Sequence, residues 1–448
     1  MGKCYVDSGG NANNSGSRDS ASALYAITVH ATYAGGTTIP IVEAHDLSVL
    51  NTSGANQDSV NFTDATNTTQ DIFWISGVDN AASPKTITVT VAPTGLTAGA
   101  STGNIGGQIT GAGLSGEEAF TRAGDVVIYN NSPAAQVGAL FSSRNSGDKT
   151  GGRITVMGKA GVRPVLNTTG NTTPLNISNS HGLWFIDNFE LDCDGSTGVG
   201  FTTGASDGVN HNVKVTDSGS GGAILCGAGL TLNCEASGSA GQGLSTTGGS
   251  YLGVYLHNNA SDGVRNTANN GGPQLFFSII ESNTGRGVYH SGAPSTITHQ
   301  TLLFGCTIWD NDDSGVEAAD DDAIFTILNS IIAENGNGST SFNSEFPGTN
   351  QADLLGFHAY NIFYRSSGTN LNNLTVNANL AGTELTTDPQ FTDAAGGNFG
   401  IASGSPAKAV GFPGTFLGSA SIGYLDIGAV QRQEAGGGGG ASSHTFVG

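Results

Sequence analysis

The amino-acid sequence predicts an all-β chain wound as a parallel β-helix, and three observations carry that prediction. The first is composition. Of 448 residues 70 are Gly, Lys and Arg together number only 15, and charged residues make up 11%. Long amphipathic helices draw on Leu, Glu, Lys and Arg, so this balance points to many short strands joined by tight turns. The second is an internal repeat. NVKVTDSGSGGAI from Asn212, GLTLNCEASGSAGQGL from Gly229, GVYLHNNASDGV from Gly253, FSIIESNTGRGV from Phe277 and GCTIWDNDDSGV from Gly305 superpose. Each alternates apolar residues with others, passes a polar turn, and resumes with Gly and an aliphatic residue. The third is a recurrent Asn, at Asn259, Asn283, Asn311 and Asn335.

These observations translate into geometry. One apolar column reads Leu191, Val215, Leu232, Leu256, Ile280, Ile308 and Ile332, in steps of 24, 17, 24, 24, 28 and 24 residues. A second, beyond the turn Gly, reads Ile224, Leu244, Val264, Val288 and Val316. A repeat of this length with two or three short strands suits a coil that pairs with the next one ~4.8 Å away, so that inward aliphatics stack along the axis. The recurrent Asn then stacks as an amide ladder, each side chain bonding its neighbour one coil on. A propeller would need a longer, more uniform repeat with its own dipeptide signature.

The elements follow in chain order. Residues 1–104 read as a separate β-rich domain, a candidate attachment module. Within it Ile72–Ile75 and Thr86–Val91 form a hairpin around a loop with Asp79, Asn80 and Pro84. Residues 105–124 read as a linker and short capping helix: Ser115 caps it, Glu118 completes a capping box, Leu114 staples onto Ala119, and Gly124 suits the C′ position. The helical body spans 125–385, a C-terminal cap 386–432, and a Gly-rich tail 433–448.

Charge and cysteine usage narrow the function. A net charge of −21 repels nucleic acid, which calls for a basic stripe. No apolar run approaches the ~18 residues that a membrane helix needs. The five cysteines (Cys4, Cys193, Cys226, Cys234, Cys306) are odd in number and fit no zinc spacing, so free buried thiols are expected. MGKCYVDSGG lacks the apolar stretch of a secretory signal, which implies synthesis in a reducing cytoplasm.

The succession AGDVVIY, GRITVMGKAGVRPVL and PLNISNSHGLWFIDNFELDCDG resembles the opening coils of the pectate-lyase-like superfamily, and DPQFTDAAGGNFGIASGSPAKAVG with GYLDIGAVQ resembles its closing segment. That resemblance implies a right-handed helix and leaves activity open, because the scaffold hosts lyases, hydrolases and structural proteins. CYVDSGGNANNSGS, DLSVLNTSG and FTDATNTTQDIFWISGVDNAASPKTITVTVAPTG, all within about the first 110 residues, resemble modules of tailed-bacteriophage virion proteins. This resemblance implies a protein of the virion surface, made in the host cytoplasm. Its expected role is non-enzymatic: a capsid decoration, head fibre or spike component that binds other virion proteins such as the capsid protein. A homo-oligomer is expected, and flat stacked polar faces would suit a trimer. The alternatives are a tailspike-type polysaccharide depolymerase or lyase and a passive adhesin for a host surface glycan.

Two residue sets are candidate sites. Tyr255, His257, Arg265, Glu281, Tyr289 and Trp309, with Arg286 and His290 beside them, form a glycan-binding patch, with His257, Glu281 and Trp309 in one column. No catalytic set stands out: Lys214 is the only lysine between Asp187 and Asn335, with no carboxylate motif beside it. The Asp-rich stretch CTIWDNDDSGVEAADDD places Asp310, Asp312, Ser314, Gly315 and Asp321 at positions 1, 3, 5, 6 and 12 of a calcium-loop template. Strand-like flanks and Asp in place of Glu at position 12 favour a solvated turn, with calcium as the alternative. No other cofactor is expected.

Overall fold

The computed structural model describes residues 3–6, 17–18, 25–50, 52, 59–63, 69–105, 118–119, 126–129, 136–137, 141–143, 152–169, 174–177, 182–193, 199–203, 207–226, 229–267, 271–291, 299–319, 323–336, 355–366, 383–411 and 425–431. The chain divides into two compact units, Met1–Asp192 with Thr203–Gly208, and Cys193–Thr202 with Val209–Gly448. Among the described residues, helical structure is confined to two short 3-10 turns.

The first unit contains a six-stranded antiparallel sheet ordered Tyr25–Thr28, Thr102–Ile105, Ser59–Thr63, Thr69–Asp79, Thr86–Val89, Thr38–Pro40. Its core gathers Ile27, Ile39, Val60, Phe62, Ile75 and Ile87 among others. The expected hairpin is present as Thr69–Asp79 against Thr86–Val89. The same unit holds parallel coils, in which Lys3–Val6, Val126–Tyr129, Ile154–Gly158 and the start of Trp184–Asp192 pair in succession. Lys3–Val6 therefore belongs to a coil, not to the β-rich sheet that the sequence suggested for residues 1–104. Its alternating residues place it in the parallel ladder beside VVIY. The expected capping helix is also corrected where it can be seen. Glu118–Ala119 is a strand paired with Ser142 and Ser143, while Leu114, Ser115 and Gly124 lie outside the described residues. A single helical turn fixes several residues for one hydrogen bond, whereas an existing strand edge satisfies each residue it adds.

The second unit is a parallel β-helix whose coils present three sides. The first side stacks Leu230–Leu232, Ser250–Leu252, Gln274–Phe276, His299–Phe304, Ala323–Leu328 and Leu355–Ala359. The second stacks Glu235–Ser237, Tyr255–His257, Ile279–Glu281, Thr307–Trp309, Ile331–Ala333 and Ile362–Tyr364. The third stacks Ile224–Cys226, Leu244–Thr246, Val264–Asn266, Val288–His290 and Val316–Ala318.

The inward column of the third side is the predicted one, from Ile224 through Val316. That of the second side runs Val215, Ala236, Leu256, Ile280, Ile308, Ile332 and Phe363. Leu232 is thus not its member. A left-handed corner at Asn233 turns the chain between the two sides, so Leu232 falls on the outer face of the first side, between His211 and Leu252.

Corners of this kind set the coil. In six coils two positive-φ residues stand five apart: Asn212 and Asp217, Asn233 and Gly238, Gly253 and Asn258, Phe277 and Ser282, Gly305 and Asp310, Asn329 and Glu334. Asn, Asp and Gly tolerate this conformation best, and they fill nine of these twelve positions. Directly after the second corner comes the expected amide ladder. Asn259 Nδ2 donates to Asn283 Oδ1 at 2.9 Å, Asn283 to Asn311 at 2.8 Å, and Asn311 to Asn335 at 2.8 Å. Each Oδ1 also accepts the backbone N–H of the preceding Asn. After the first corner lies a second ladder, in which Cys306 N donates to Ser330 Oγ, Ser330 N to Asn361 Oδ1, and Asn361 N to Glu384 Oε2.

Candidate functional site

The predicted glycan patch divides between two sides of the coil. Tyr255 and His257 are two apart in one strand, so both project outward from the second side, and their rings stack with centroids 4.1 Å apart. His257, Glu281 and Trp309 do form one column. The polar atoms there bond one another. Tyr255 Oη donates to Glu281 Oε1 at 2.6 Å, and the Ser282 hydroxyl donates to Glu281 Oε2. His257 Nε2 meets Glu235 Oε1 at 3.1 Å, its Nδ1 lies 2.9 Å from Asn258 Nδ2, and Lys214 Nζ stands 3.5 Å from Glu235. The hydrogen bond from His257, helped by Lys214, holds the Glu235 carboxyl below the usual glutamate range against the opposing effect of burial. Burial first, then the bond to Glu281, push the Tyr255 hydroxyl well above its ordinary value.

Trp309 is partly buried under the chain's own C-terminal segment. Its ring meets the edge of Phe399 at 5.8 Å, and it packs on a cluster of Ile331, Ala333, Ile362, Ile401, Ala407 and Ile427. The C-terminal segment predicted as an end cap therefore lies along the outer face of the second side. Ala429 N donates to Thr307 Oγ1 at 3.0 Å, Gly428 N to Asn329 O at 2.9 Å, and Asn329 Nδ2 to Asp426 O at 2.9 Å. The physical reason is in the outward residues. From Thr307 onward this side carries Ile331 and Ile362 pointing outward, and an apolar face on a strand needs a cover. Gly397 reaches as far as Tyr255, whose hydroxyl would stand 3.2 Å from a Cβ placed there.

The remaining patch residues belong to the third side. Arg265, Tyr289 and Glu317 share one column. The Arg286 guanidinium lies over the Tyr289 ring at 3.8 Å, and that of Arg265 at 5.7 Å. Arg286 Nε is 2.9 Å from Glu317 Oε2 and its Nη1 is 3.4 Å from Asp262 Oδ1. Burial raises the Asp262 carboxyl above its usual range, and Arg286 only partly opposes that shift. His290 points inward and is buried, with Asn266 Nδ2 3.4 Å from its Nδ1.

In the Asp-rich stretch, Asp310 is a corner residue with φ 48°. Ser314 is buried and donates to Glu317 Oε2 at 2.9 Å, so its hydroxyl serves the Arg286 network. Asp321 lies outside the described residues. Among the described residues, no group of three His, Cys, Asp or Glu side chains is arranged to hold a metal ion. Cys193, Cys234 and Cys306 are buried thiols outside any disulfide, and burial pushes the Cys306 thiol up to about 12. A thiol this basic is not a nucleophile at neutral pH.

Glycoside hydrolysis needs one carboxyl held protonated and one ionised across a shared groove. Here the raised carboxyl, Asp262, stands in the turn two residues before the third-side strand Val264–Asn266, while the lowered one, Glu235, is in the second-side strand Glu235–Ser237. Sequence reasoning missed the pair of buried His358 Nδ1 and part-buried Glu384 Oε1, 2.6 Å apart, where the second ladder ends. The only signal was a lone Glu after an irregular stretch.

No family model matches the sequence, and no curated protein matches it. Among solved structures, the chain is similar to the crystal structure of pectate lyase Pel9A, at 13% identity and a TM-score of 0.47, over 70% of this chain and 89% of that one. It is also similar to the Gp54 tailspike of Acinetobacter baumannii bacteriophage AP22, solved in complex with A. baumannii capsular saccharide. That match has 9% identity and a TM-score of 0.18, over 81% of this chain and 65% of the other.

Proposed function

We propose that this chain is a non-enzymatic structural component of a tailed-bacteriophage virion, a capsid decoration, head fibre or spike. In this role the β-helix is a stiff element on the virion surface, bound to other virion proteins and present as a homo-oligomer, a trimer by the expectation from flat faces. The phage assignment rests on the resemblance carried by about the first 110 residues. The non-enzymatic assignment rests on one structural observation: the carboxylates of the candidate patch bond their own neighbours. Glu281 is engaged by Tyr255 and Ser282, Glu235 by His257 and Lys214, and Glu317 by Arg286 and Ser314. Such networks stiffen a rod and leave no poised acid and base. The test is to incubate purified chain with host capsular and lipopolysaccharide preparations and follow reducing ends and unsaturated uronates. The proposal expects neither to form, and sustained release of either defeats it in favour of a depolymerase or lyase.

A passive adhesin is the second reading, favoured by the third side. The partly exposed Tyr289 ring sits beside Arg265, whose Nε bonds only the Ser291 hydroxyl, at 3.3 Å, among the bonds described. Ring and guanidinium together suit a sugar face and its acid or hydroxyl groups. Glycan-array binding that is lost in Arg265→Ala and Tyr289→Ala, with no turnover, would support it.

A further inference from the structure

The outer faces of the three sides are finished differently. The second is covered from Thr307 onward by the chain's own C-terminal segment. The third carries the Arg286, Glu317 and Asp262 network. Among the described residues the first has neither. Its outward column reads Leu232, Leu252, Phe276, Phe304 and Leu328 on successive coils, each only partly buried. The column beside it adds Leu230, 37% exposed, with Ser250, Gln274, Leu302 and Thr326. The two Phe rings in the middle lie 6.4 Å apart.

We propose that this first side is where a second copy of the chain packs, the two β-helices side by side. Three observations favour a copy over another occupant. First, the face is uncharged: its described outward strand residues include no Asp, Glu, Lys or Arg. In a chain of net charge −21, like-charged surfaces repel one another, and a neutral face meets a second copy without that cost. Second, the face is periodic. Coils repeating every ~4.8 Å carry the column for about 20 Å, and two such columns related by rotation interdigitate over their whole length. Third, the stripe can form the apolar centre of a larger contact. Such a stripe exposes a few hundred Å² of apolar surface, less than the ~800 Å² per partner of a stable interface. The polar flanks of Ser250, Gln274 and Thr326 would supply the rim. The apolar stripe is then the centre of the contact between copies.

The test uses the full chain. Sedimentation equilibrium at micromolar concentration should give a multiple of 45.1 kDa for the unaltered protein. The double variant Phe276→Asp with Phe304→Asp should sediment as a single chain with an unchanged far-UV circular dichroism spectrum. Both positions face outward, so the core is untouched. Gln274→Cys, a milder change on the exposed rim, should cross-link copies under oxidising conditions, while Ser237→Cys on the second side should not. A single-chain mass for the unaltered protein overturns the proposal. So does cross-linking through Ser237→Cys but not Gln274→Cys. A monomer that binds a different virion protein through this stripe would assign the face to that partner instead. None of these results depends on whether the chain turns over a polysaccharide, so this inference and the proposed function fail separately.

Discussion

Asn311→Ala removes the middle link of the first amide ladder. In the native chain Asn311 Oδ1 accepts from Asn283 Nδ2 at 2.8 Å and from Asn283 N at 3.2 Å. Its own Nδ2 donates to Asn335 Oδ1 at 2.8 Å. Asn283 and Asn335 are both fully buried, so water cannot replace what is lost. Two donors on Asn283 are left unpaired, and a buried unsatisfied polar group costs about 1–3 kcal/mol. The expected loss is therefore about 2–6 kcal/mol. Guanidinium unfolding followed by far-UV circular dichroism reads it, with Asp312→Ala as control. Asp312 is exposed on the next residue but one after the corner, and its substitution should fall within about 0.5 kcal/mol. Asn311→Asp makes the argument sharper. It keeps an acceptor for Asn283 but sets a carboxylate against Asn335 Oδ1, so it should be as damaging at neutral pH and recover partly once the acid is protonated. If Asn311→Ala unfolds at the same denaturant concentration as Asp312→Ala, the ladder contributes nothing and the reasoning is wrong.

Other expectations concern the sides. Removing residues 386–448 should uncover Trp309, Ile331 and Ile362, read as a red shift in tryptophan emission and binding of an apolar dye; an unshifted spectrum would mean the C-terminal segment does not cover Trp309. Arg286→Met leaves Asp262 and Glu317 as unpaired, largely buried carboxylates. It should cost on the order of 2–3 kcal/mol, less than the 3–5 of a fully buried pair because Arg286 is partly exposed, and the loss should shrink in acid as Asp262 protonates. Glu235 has a depressed folded pKa, so its contribution is present above the ordinary glutamate value of about 4.3 and is lost as pH falls through the lower folded value. Glu235→Gln should flatten that acid limb of the stability profile, and an identical limb in the variant would assign it to other carboxylates.

The fold was legible because a parallel coil repeats its demands. Each coil must supply an inward aliphatic at the same place, and the third-side column from Ile224 to Val316 could be read off unaided. The Asn ladder was legible for the same reason. Leu232 was misplaced because apolarity alone does not tell an inward from an outward residue when a corner intervenes; the pairs of positive-φ residues five apart were the missing rule. Half of the second ladder is Ser and Cys, which carry no amide signature. Patch residues on different sides were grouped because sequence proximity, such as Arg265 to Glu281, says nothing about which side of a coil a residue leaves from. The C-terminal segment looked like a cap because its apolar residues needed a surface, and the sequence does not say whether that surface is an end or a flank.

The claim that this is a structural protein of the virion surface is tested most directly on intact particles. Gold-labelled antibody against the chain, imaged by electron microscopy, should decorate the outside of the particle, over the head or along a fibre or spike, without prior disruption. Label that appears only after particles are broken, or only on free protein in the lysate, would contradict the account.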